Sequence, residues 1–277
     1  MIIWLASYPK SGNTWIRIFL SSLFSKEKTK INDISIPLFP KRYHFDELTD
    51  NINDVEEFVK NCIHAQTKIN LDNKIKILKT HNAFWRSGKF CYTDNINTSG
   101  CIYIVRDPRN VITSLKNHYY LSTYADAFKF ISDEKKLIGN IKNPRLESDL
   151  PTVISSWKNH YNSWKKLKTN YLLIKYENLI DNPFAEFNKI ISFLEKFFNY
   201  KFDSTDVDRA ISYTNFEKLQ KQESLEGFKE ANKNTKGEPI KFFNLGPKNT
   251  WQKMLDSKTI SKIENEFYTE MKEIGYL

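Results

Sequence analysis

The chain has 277 residues, of which 40% are hydrophobic, 14% aromatic and 27% charged. This length and composition predict one globular domain spanning residues 1–277, and they exclude an intrinsically disordered chain. The 42 Lys and Arg residues outnumber the 33 Asp and Glu residues and give a formal charge of +9, which favours anionic ligands. Because no block of five or six like charges occurs, we expect no nucleic-acid binding.

Three cysteines, Cys62, Cys91 and Cys101, are an odd number without CxxC spacing. They predict neither a disulfide framework nor a zinc site. The apolar residues 1–6 are far fewer than the ~20 that a membrane span needs, and no basic segment precedes them. We therefore expect a cytoplasmic, metal-free protein without a membrane span.

Apolar runs and helical patterns alternate along the chain. In chain order we predict a buried strand at 2–6, helices at 14–24 and 55–67, strands at 74–79 and 101–105, helices at 108–119 and 151–167, a strand at 171–175, and helices at 184–197 and 258–272. Residues 26–53 and 223–250 are irregular, and we interpret the second segment as a lid. The alternation predicts an α/β fold, P-loop-like, with three α/β/α layers around a central, mainly parallel sheet. Ligands of such folds bind at the carboxyl ends of the strands.

The segment from Tyr8 to Trp15 follows the first strand and opens the first helix. Its backbone N–H groups should converge on an anion. Lys10 adds a positive charge, and Gly12 permits a tight turn close to a ligand oxygen. Further hydrogen-bonding side chains are Ser11, Asn13 and Thr14. The Lys precedes a single Gly, which is not the order of a Walker A loop. A strand–turn–helix junction in which Ser and Asn only cap the helix is the alternative.

A second strand–helix junction carries Arg106 and Ser114. Arg106 stands at the strand's carboxyl end, whereas Ser114 lies about two turns into a helix that Asp107 and Pro108 begin. A guanidinium and a hydroxyl can together clamp a phosphate. A capped helix beside a surface Arg is the alternative.

Lys79 and His81 lie at the end of the second predicted strand. Histidine is suited to general-base catalysis near neutral pH. The other histidines are His44, His64, His118 and His160, and a lone histidine is usually structural.

Together these motifs resemble those of the sulfotransferase family that uses 3'-phosphoadenosine-5'-phosphosulfate (PAPS), in its cytosolic type. The string YPKSGNTW is similar to the family's 5'-phosphosulfate loop, usually YPKSGTTW, with Asn13 as the departure. Arg106 and Ser114 keep the spacing of the family's 3'-phosphate motif, so the resemblance implies that they bind that phosphate. KTH resembles the catalytic KTH, which implies that His81 is the base, with Lys10 and Lys79 stabilising the transferring sulfonate and the leaving phosphate oxygen.

The resemblance also implies the adenine site. Residues 174–179 and 213–216 are similar to family segments around the base, which places Tyr176, Thr214 and Phe216 there, with Trp15 stacking on it. The family's C-terminal motif RKGxxGxW corresponds to residues 244–251, where Asn244 and Leu245 replace the two basic residues. Gly246 through its N–H, and Lys248 or Lys241, are the remaining candidates there for the 3'-phosphate.

Two family features are missing. The dimerisation motif KxxxTVxxxE is not intact, so the oligomeric state stays open. The chain begins almost at the phosphate loop, without the N-terminal extension that helps to shape the acceptor pocket in animal cytosolic members, and we therefore expect a differently built acceptor site. The resemblance is to a microbial member of the family.

By resemblance, then, the protein is an enzyme that moves a sulfonate from PAPS to a hydroxyl or amine of a small-molecule or glycan acceptor. The expected mechanism is direct in-line transfer, with adenosine 3',5'-bisphosphate (PAP) as product and no metal. A P-loop-type kinase and a non-catalytic nucleotide-binding homologue are the alternatives. Four aromatic residues are either acceptor contacts or core: Phe84, Trp85, Tyr119 and Tyr124.

Overall fold

A computed structural model describes residues 1–25, 30–52, 54–139 and 150–277. Its strands are β1 (Ile2–Ser7), β2 (Lys76–Thr80), β3 (Arg86–Ser87), β4 (Phe90–Cys91), β5 (Thr98–Val105), β6 (Leu137–Ile138), β7 (Thr152–Val153) and β8 (Asn170–Lys175). Its helices are α1 (Asn13–Ser25), α2 (Val55–Ile69), α3 (Pro108–His118), α4 (Tyr124–Ser132), α5 (Trp157–Trp164), α6 (Tyr176–Asp181), α7 (Pro183–Leu194), α8 (Ser204–Tyr213), α9 (Phe216–Glu226), α10 (Trp251–Met254), α11 (Ser257–Glu266) and α12 (Tyr268–Ile274). Short 3-10 turns lie at Arg42–Phe45, Asn70–Asp72 and Gly246–Lys248.

Four parallel strands form the central sheet in the order β2-β1-β5-β8. These are the four strands that the apolar runs predict, extended or shifted by one to three residues. Because all four run the same way, Ser7, Thr80, Val105 and Lys175 end at one edge of the sheet. Beyond β2, Leu38 makes a parallel bridge to Lys79.

Apolar cores lie on both faces of the sheet. Side chains of a strand alternate between faces, so Trp4 of β1 packs into one core and Leu5 into the other. Helices α2, α3 and α5 cover the first face, and α1 and α7 cover the second. The predicted three-layer α/β fold with a parallel central sheet is confirmed.

Local capping explains where α3 and α5 begin. Asp107 accepts the N–H of Arg109, and Pro108 occupies the first position of α3, as predicted. The predicted helix 151–167 is wrong over its first six residues, because Ser156 is the N-cap of α5 and Ser155 has φ +57°. The preceding residues Thr152–Val153 pair antiparallel with β6 instead.

Other departures are small. The predicted helix 258–272 is two helices, which meet at buried Phe267. The predicted irregular segment 26–53 contains a 3-10 turn, and residues 26–29 and 53 lie outside the described residues. The β3–β4 and β6–β7 pairs and the helices α4, α6, α8, α9 and α10 were not predicted. Residues 223–226 of the predicted irregular segment 223–250 belong to α9.

The three cysteines are buried and unpaired. Among the described residues, no helix combines the length and the hydropathy that crossing a membrane requires.

Candidate active site

The loop between β1 and α1 turns back on itself at the end of the sheet. Lys10 has φ +68° and Gly12 has φ +102°, both in the left-handed range that favours glycine. The Ser11 N–H donates to the Tyr8 carbonyl (3.3 Å) and the Trp15 N–H to the Gly12 carbonyl (3.1 Å). The loop is therefore a compact turn at the N-terminus of α1, the arrangement that binds anions.

Several buried donors around this loop have no acceptor among the described residues. They are the Ser11 hydroxyl, the Trp15 indole N–H and the Arg106 Nε–H. An unsatisfied buried donor costs roughly 1–3 kcal/mol, so groups of this kind cluster where a ligand supplies the acceptor. A ligand with several anionic oxygens fits this donor set.

Arg106 ties the end of β5 to the loop. Its Nη1 donates to the Lys10 carbonyl at 2.9 Å, and its guanidinium lies 4.2 Å from the Tyr176 ring centroid. Gly12 packs on the same ring, because a Cβ at Gly12 would come within 2.4 Å of Tyr176 Cδ2. Trp15 meets Tyr176 edge to face at 6.1 Å. Arg106 and Ser114 both line the cavity above the loop.

His81 follows β2 at the same edge of the sheet. Its Nδ1 lies 2.8 Å from the Ser7 carbonyl oxygen and 3.3 Å from Ser7 Oγ. A carbonyl only accepts, so Nδ1 carries the proton and Nε2 of the neutral ring is the free basic nitrogen. Burial, with the neighbouring Lys79, holds the pKa of His81 well below its ordinary value. The ring is therefore neutral at pH 7 and able to accept a proton.

Two lysines lie at the site, and the fraction of each that is protonated depends on whether an anionic ligand is bound. Burial and the nearby Arg106 lower the pKa of Lys10 to about 7, and burial and Arg17 lower that of Lys79 to about 8. An anionic ligand favours the protonated form of both side chains. Lys10 Nζ also lies 3.8 Å from the centroid of the Phe242 ring.

Glu230 places a carboxylate beside the basic residues of the site. It pairs with Arg17 at 2.7 Å between Nη1 and Oε1. Burial raises the pKa of Glu230, but Arg17, Lys79 and Lys10 outweigh that effect and hold it below its ordinary value. Glu230 is thus an ionised carboxylate beside Arg17, Lys79 and Lys10.

The C-terminal segment 244–251 docks onto α3. Asn249 accepts from the Thr113 hydroxyl (2.7 Å) and donates to the Asn110 carbonyl (3.1 Å), and Arg109 stacks on Trp251 at 3.9 Å. Gly246 has φ +51°, and a Cβ there would come within 2.2 Å of the Phe216 ring. Gly246 therefore seats Phe216 against the backbone of this segment.

One cavity of about 560 Å³ collects most of the residues that the sequence singled out. Those that line it are Lys10, Gly12, Asn13, Thr14, Trp15, Lys79, His81, Arg106, Ser114, Tyr176, Phe216 and Gly246. Ser11 and Thr214 are buried and do not line it, and the Thr214 hydroxyl donates to the Ala210 carbonyl (3.0 Å). Lys248 and Lys241 are exposed and do not line it, whereas Asn244 and Leu245 do. Of the four aromatic acceptor candidates only Tyr119 lines it.

The sequence did not single out several other lining residues: Arg17, Asn117, His118, Lys229, Glu230, Asn232 and Phe242. His118 is one turn beyond Ser114, and burial together with Lys10 and Lys79 lowers its pKa to about 3. That position on α3 is the one signal that could have indicated it. Lys229 and Glu230 lie in an irregular segment without a pattern. No cluster of three or more His, Cys, Asp or Glu among the described residues is placed to hold a metal.

The fold and the site together define a class: an α/β protein with a phosphate-type anion cradle at a helix N-terminus and a neutral histidine beside it. The chain matches the model of the sulfotransferase domain over residues 2–275. It therefore belongs to the sulfotransferase family, as the motifs predict.

Two curated relatives are similar to this chain in sequence, and one solved structure shares its fold. The chain is 26% identical to Sulfotransferase 1B1 of Canis lupus familiaris over 78% of its length, and this match spans 65% of the dog protein. It is 24% identical to Flavonol 3-sulfotransferase of Flaveria bidentis, over 95% of this chain and 79% of that protein. The crystal structure of mouse sulfotransferase SULT7A1 complexed with PAP shares the fold, with a TM-score of 0.57 and 19% identity over 97% of this chain and 83% of that one.

Proposed function

We propose that the protein transfers a sulfonate group from PAPS to a hydroxyl or amine acceptor by direct in-line transfer, with His81 as general base. The observation that carries the proposal is the meeting of loop 8–15, Arg106 and His81 at one cavity. Family membership and the PAP bound in the mouse relative support the choice of nucleotide.

The donor set fits this nucleotide. The N-terminus of α1, Lys10, Ser11 and Thr14 are the groups for the 5' side, and Arg106 with Ser114 are those for the 3'-phosphate. Unpartnered buried donors at Ser11, Trp15 and Arg106 are what a ligand with two anionic ends would satisfy. PAPS, when bound, supplies the activated sulfonate.

His81 performs the proton transfer in this proposal. Nε2 accepts the acceptor's proton, and the Nδ1–H bond to the Ser7 carbonyl keeps the ring in the required tautomer. Protonation would place a cation next to Lys79, which is unfavourable in the free protein. Anionic charge from the nucleotide offsets that repulsion. Lys10 and Lys79 stabilise the charge that develops on the oxygens of the transferred and leaving groups.

The test is turnover of PAPS with an acceptor panel of phenols, aliphatic alcohols, amines and sugars, with PAP measured as product. We expect His81→Ala to lower kcat by about 10²- to 10⁴-fold, because it removes the base. Exposed His64 provides the matched control, and His64→Ala should keep wild-type turnover. If purified His81→Ala turned over PAPS at the wild-type rate, the assignment of His81 as the general base would be wrong.

A non-catalytic nucleotide-binding protein is the second candidate. Asn244 and Leu245 line the cavity where the family motif carries cations, which favours weaker contact with the 3'-phosphate. Exposed Lys229 also lines the cavity and offers a replacement cation. PAP binding in calorimetry, without product from any acceptor, would decide for this candidate.

Residues 223–250 stay a proposed lid.

A further inference from the structure

Two buried polar side chains, one from β5 and one from α5, form a series of hydrogen bonds that ends at the main chain of His81. Tyr103 of β5 and His160 of α5 are almost fully buried, with exposed fractions of 1% and 0%. Tyr103 Oη lies 2.8 Å from His160 Nδ1, and His160 Nε2 lies 3.1 Å from the carbonyl oxygen of His81. Both polar ends of the His160 ring are therefore engaged.

The carbonyl of His81 at one end determines which atom donates in each of these hydrogen bonds. Since a carbonyl only accepts, His160 Nε2 must carry a proton. Nδ1 of the neutral ring then accepts the hydroxyl proton of Tyr103. Burial lowers the pKa of His160 to about 3, so the ring is uncharged at neutral pH and does not act as an acid or base there.

His81 depends on this contact because it lies just outside the sheet. Parallel pairing of β2 with β1 ends at the Ala6 and Thr80 pair, so the carbonyl of His81 has no strand partner. The ring of His81 is held by the Ser7 carbonyl. Ser7 is itself held by Asn13, whose Nδ2 donates to Ser7 Oγ at 3.1 Å. The ring is thus fixed through β1, and the backbone through His160.

We propose that His160 is a positioning residue for His81, and that Tyr103 selects the His160 tautomer that makes this possible. The inference rests on the proposed role of His81 as base. His160 does not line the cavity and acts only through the main chain of His81. It holds the peptide that carries the base, so that Nε2 keeps its place relative to the cradle. A base displaced by about 1 Å loses much of its effect while nucleotide binding is kept.

The experiment compares His160→Gln, His160→Phe and Tyr103→Phe in the full chain. Gln retains an N–H donor for the His81 carbonyl, whereas Phe fills the space without one. We expect His160→Phe to lower kcat at least about tenfold, the equivalent of one buried hydrogen bond, and His160→Gln to restore most of it. Tyr103→Phe should lower kcat by about three- to tenfold. The KM for PAPS and the Kd for PAP should change less than about twofold, because neither His160 nor Tyr103 lines the cavity.

Tyr161→Phe is the matched control. Tyr161 is also buried on α5, but its hydroxyl donates to Glu273 (3.1 Å), away from His81. Its removal should leave kcat unchanged. A second readout, ¹⁵N NMR of the histidine rings, needs no turnover. When the His81 main chain shifts in His160→Phe, the Nδ1–H bond to the Ser7 carbonyl should weaken and His81 should show a mixture of tautomers, whereas wild type and His160→Gln should show the Nδ1–H form.

Two outcomes would overturn the proposal. One is a folded His160→Phe protein with wild-type kcat and an unchanged His81 tautomer. The other is a parallel loss of kcat, PAP affinity and unfolding temperature, which indicates a purely structural role. If His160→Phe does not fold, Tyr103→Phe decides, since it removes a single oxygen atom. Failure of the proposed function is distinguishable, because it appears as full activity of His81→Ala whatever the NMR result.

Discussion

Two glycines decide where the aromatic rings of the site lie. Gly12 and Gly246 both have positive φ, and each faces a ring at the position where another residue would carry its Cβ. Tyr176 rests against Gly12, and the guanidinium of Arg106 lies 4.2 Å from the centroid of the same ring. The position of the cation thus depends on the absence of one methyl group.

Gly12→Ala should therefore damage nucleotide binding beyond its effect on the backbone. The new Cβ lies 2.4 Å from Tyr176 Cδ2, so the ring and Arg106 must move, and the positive φ adds about 1–2 kcal/mol of strain. We expect the Kd for PAP, measured by calorimetry, to rise at least about tenfold. Gly88→Ala is the control, because Gly88 has φ +57° and open space around it. Equal PAP affinity of Gly12→Ala and wild type would contradict this account.

Asn13, a residue of the phosphate-loop motif, both lines the cavity and holds neighbouring residues of β1 in place. It lines the cavity, yet its Nδ2 donates to the Leu5 carbonyl and to Ser7 Oγ, both at 3.1 Å. Its side chain therefore links the anion loop to the residue that holds His81. The change from the family's usual Thr at this position leaves the backbone cradle in place.

At the scale of elements, the segment 227–245 covers the site and is held by apolar as well as polar contacts. Phe228 and Phe243 are buried in a small core with Ile18 of α1 and Leu219 of α9. Glu223 of α9 accepts the N–H groups of Phe242 (2.6 Å) and Phe243 (2.8 Å). Phe242 covers Lys10, and Glu230 pairs with Arg17 of α1. The proposed lid is therefore anchored to α9 and α1 by backbone hydrogen bonds, one ion pair and this small apolar core.

Glu223→Gln should loosen this segment without unfolding the protein. One amide oxygen can replace one carboxylate oxygen, but the amide N–H₂ then faces the second backbone N–H as a donor. We expect faster hydrogen exchange across 227–245 and a Kd for PAP raised by about three- to thirtyfold. Glu226→Gln is the control, since its ion pair with Lys30 at 3.9 Å is exposed and contributes little. Unchanged exchange in Glu223→Gln would show that another contact anchors the segment.

At the scale of the whole molecule, the sheet and the motif positions were predictable for one physical reason. A buried parallel strand is a continuous apolar run, and parallel strands end at one edge. Residues that follow such runs, such as Lys10, His81 and Arg106, are therefore neighbours in space although far apart in the chain. The resemblance to a family then predicted their ligand.

The rest was not predictable because it depends on tertiary packing. Strands of two residues, such as β6 and β7, are too short to show a period. Arg17 and Glu230 are ordinary charged residues until the fold pairs them. The Thr214 hydroxyl bonds to a carbonyl of α8, the helix that Thr214 caps, and the sequence does not reveal that contact. The irregularity of 227–245 was evident, but not its contact with Lys10.

Folding also lowers the pKa values of four of the five histidines. Burial is the main cause in each case, and the pKa is about 4 for His44 and about 3 for His118 and His160, while that of His81 is also well below normal. The unfolded chain protonates its histidines near pH 6.5. Below that pH the unfolded state binds more protons than the folded state, so the free energy of unfolding must fall as pH falls.

Acid should therefore unfold the protein below pH 6.5 before most of its carboxylates are protonated. Each such histidine removes up to about 1.4 kcal/mol per pH unit, against a total stability of about 5–15 kcal/mol. Urea unfolding at pH 8, 6, 5 and 4.5 measures this slope. His44 lies outside the cavity and accepts the Lys41 N–H through Nδ1 (3.0 Å), a bond that a Gln side chain can also accept. His44→Gln should therefore differ little from wild type at pH 8 but lose stability less steeply below pH 6.5, by about one proton. Parallel curves for the two proteins from pH 8 to 4.5 would show that His44 titrates in the folded state as it does in the unfolded chain.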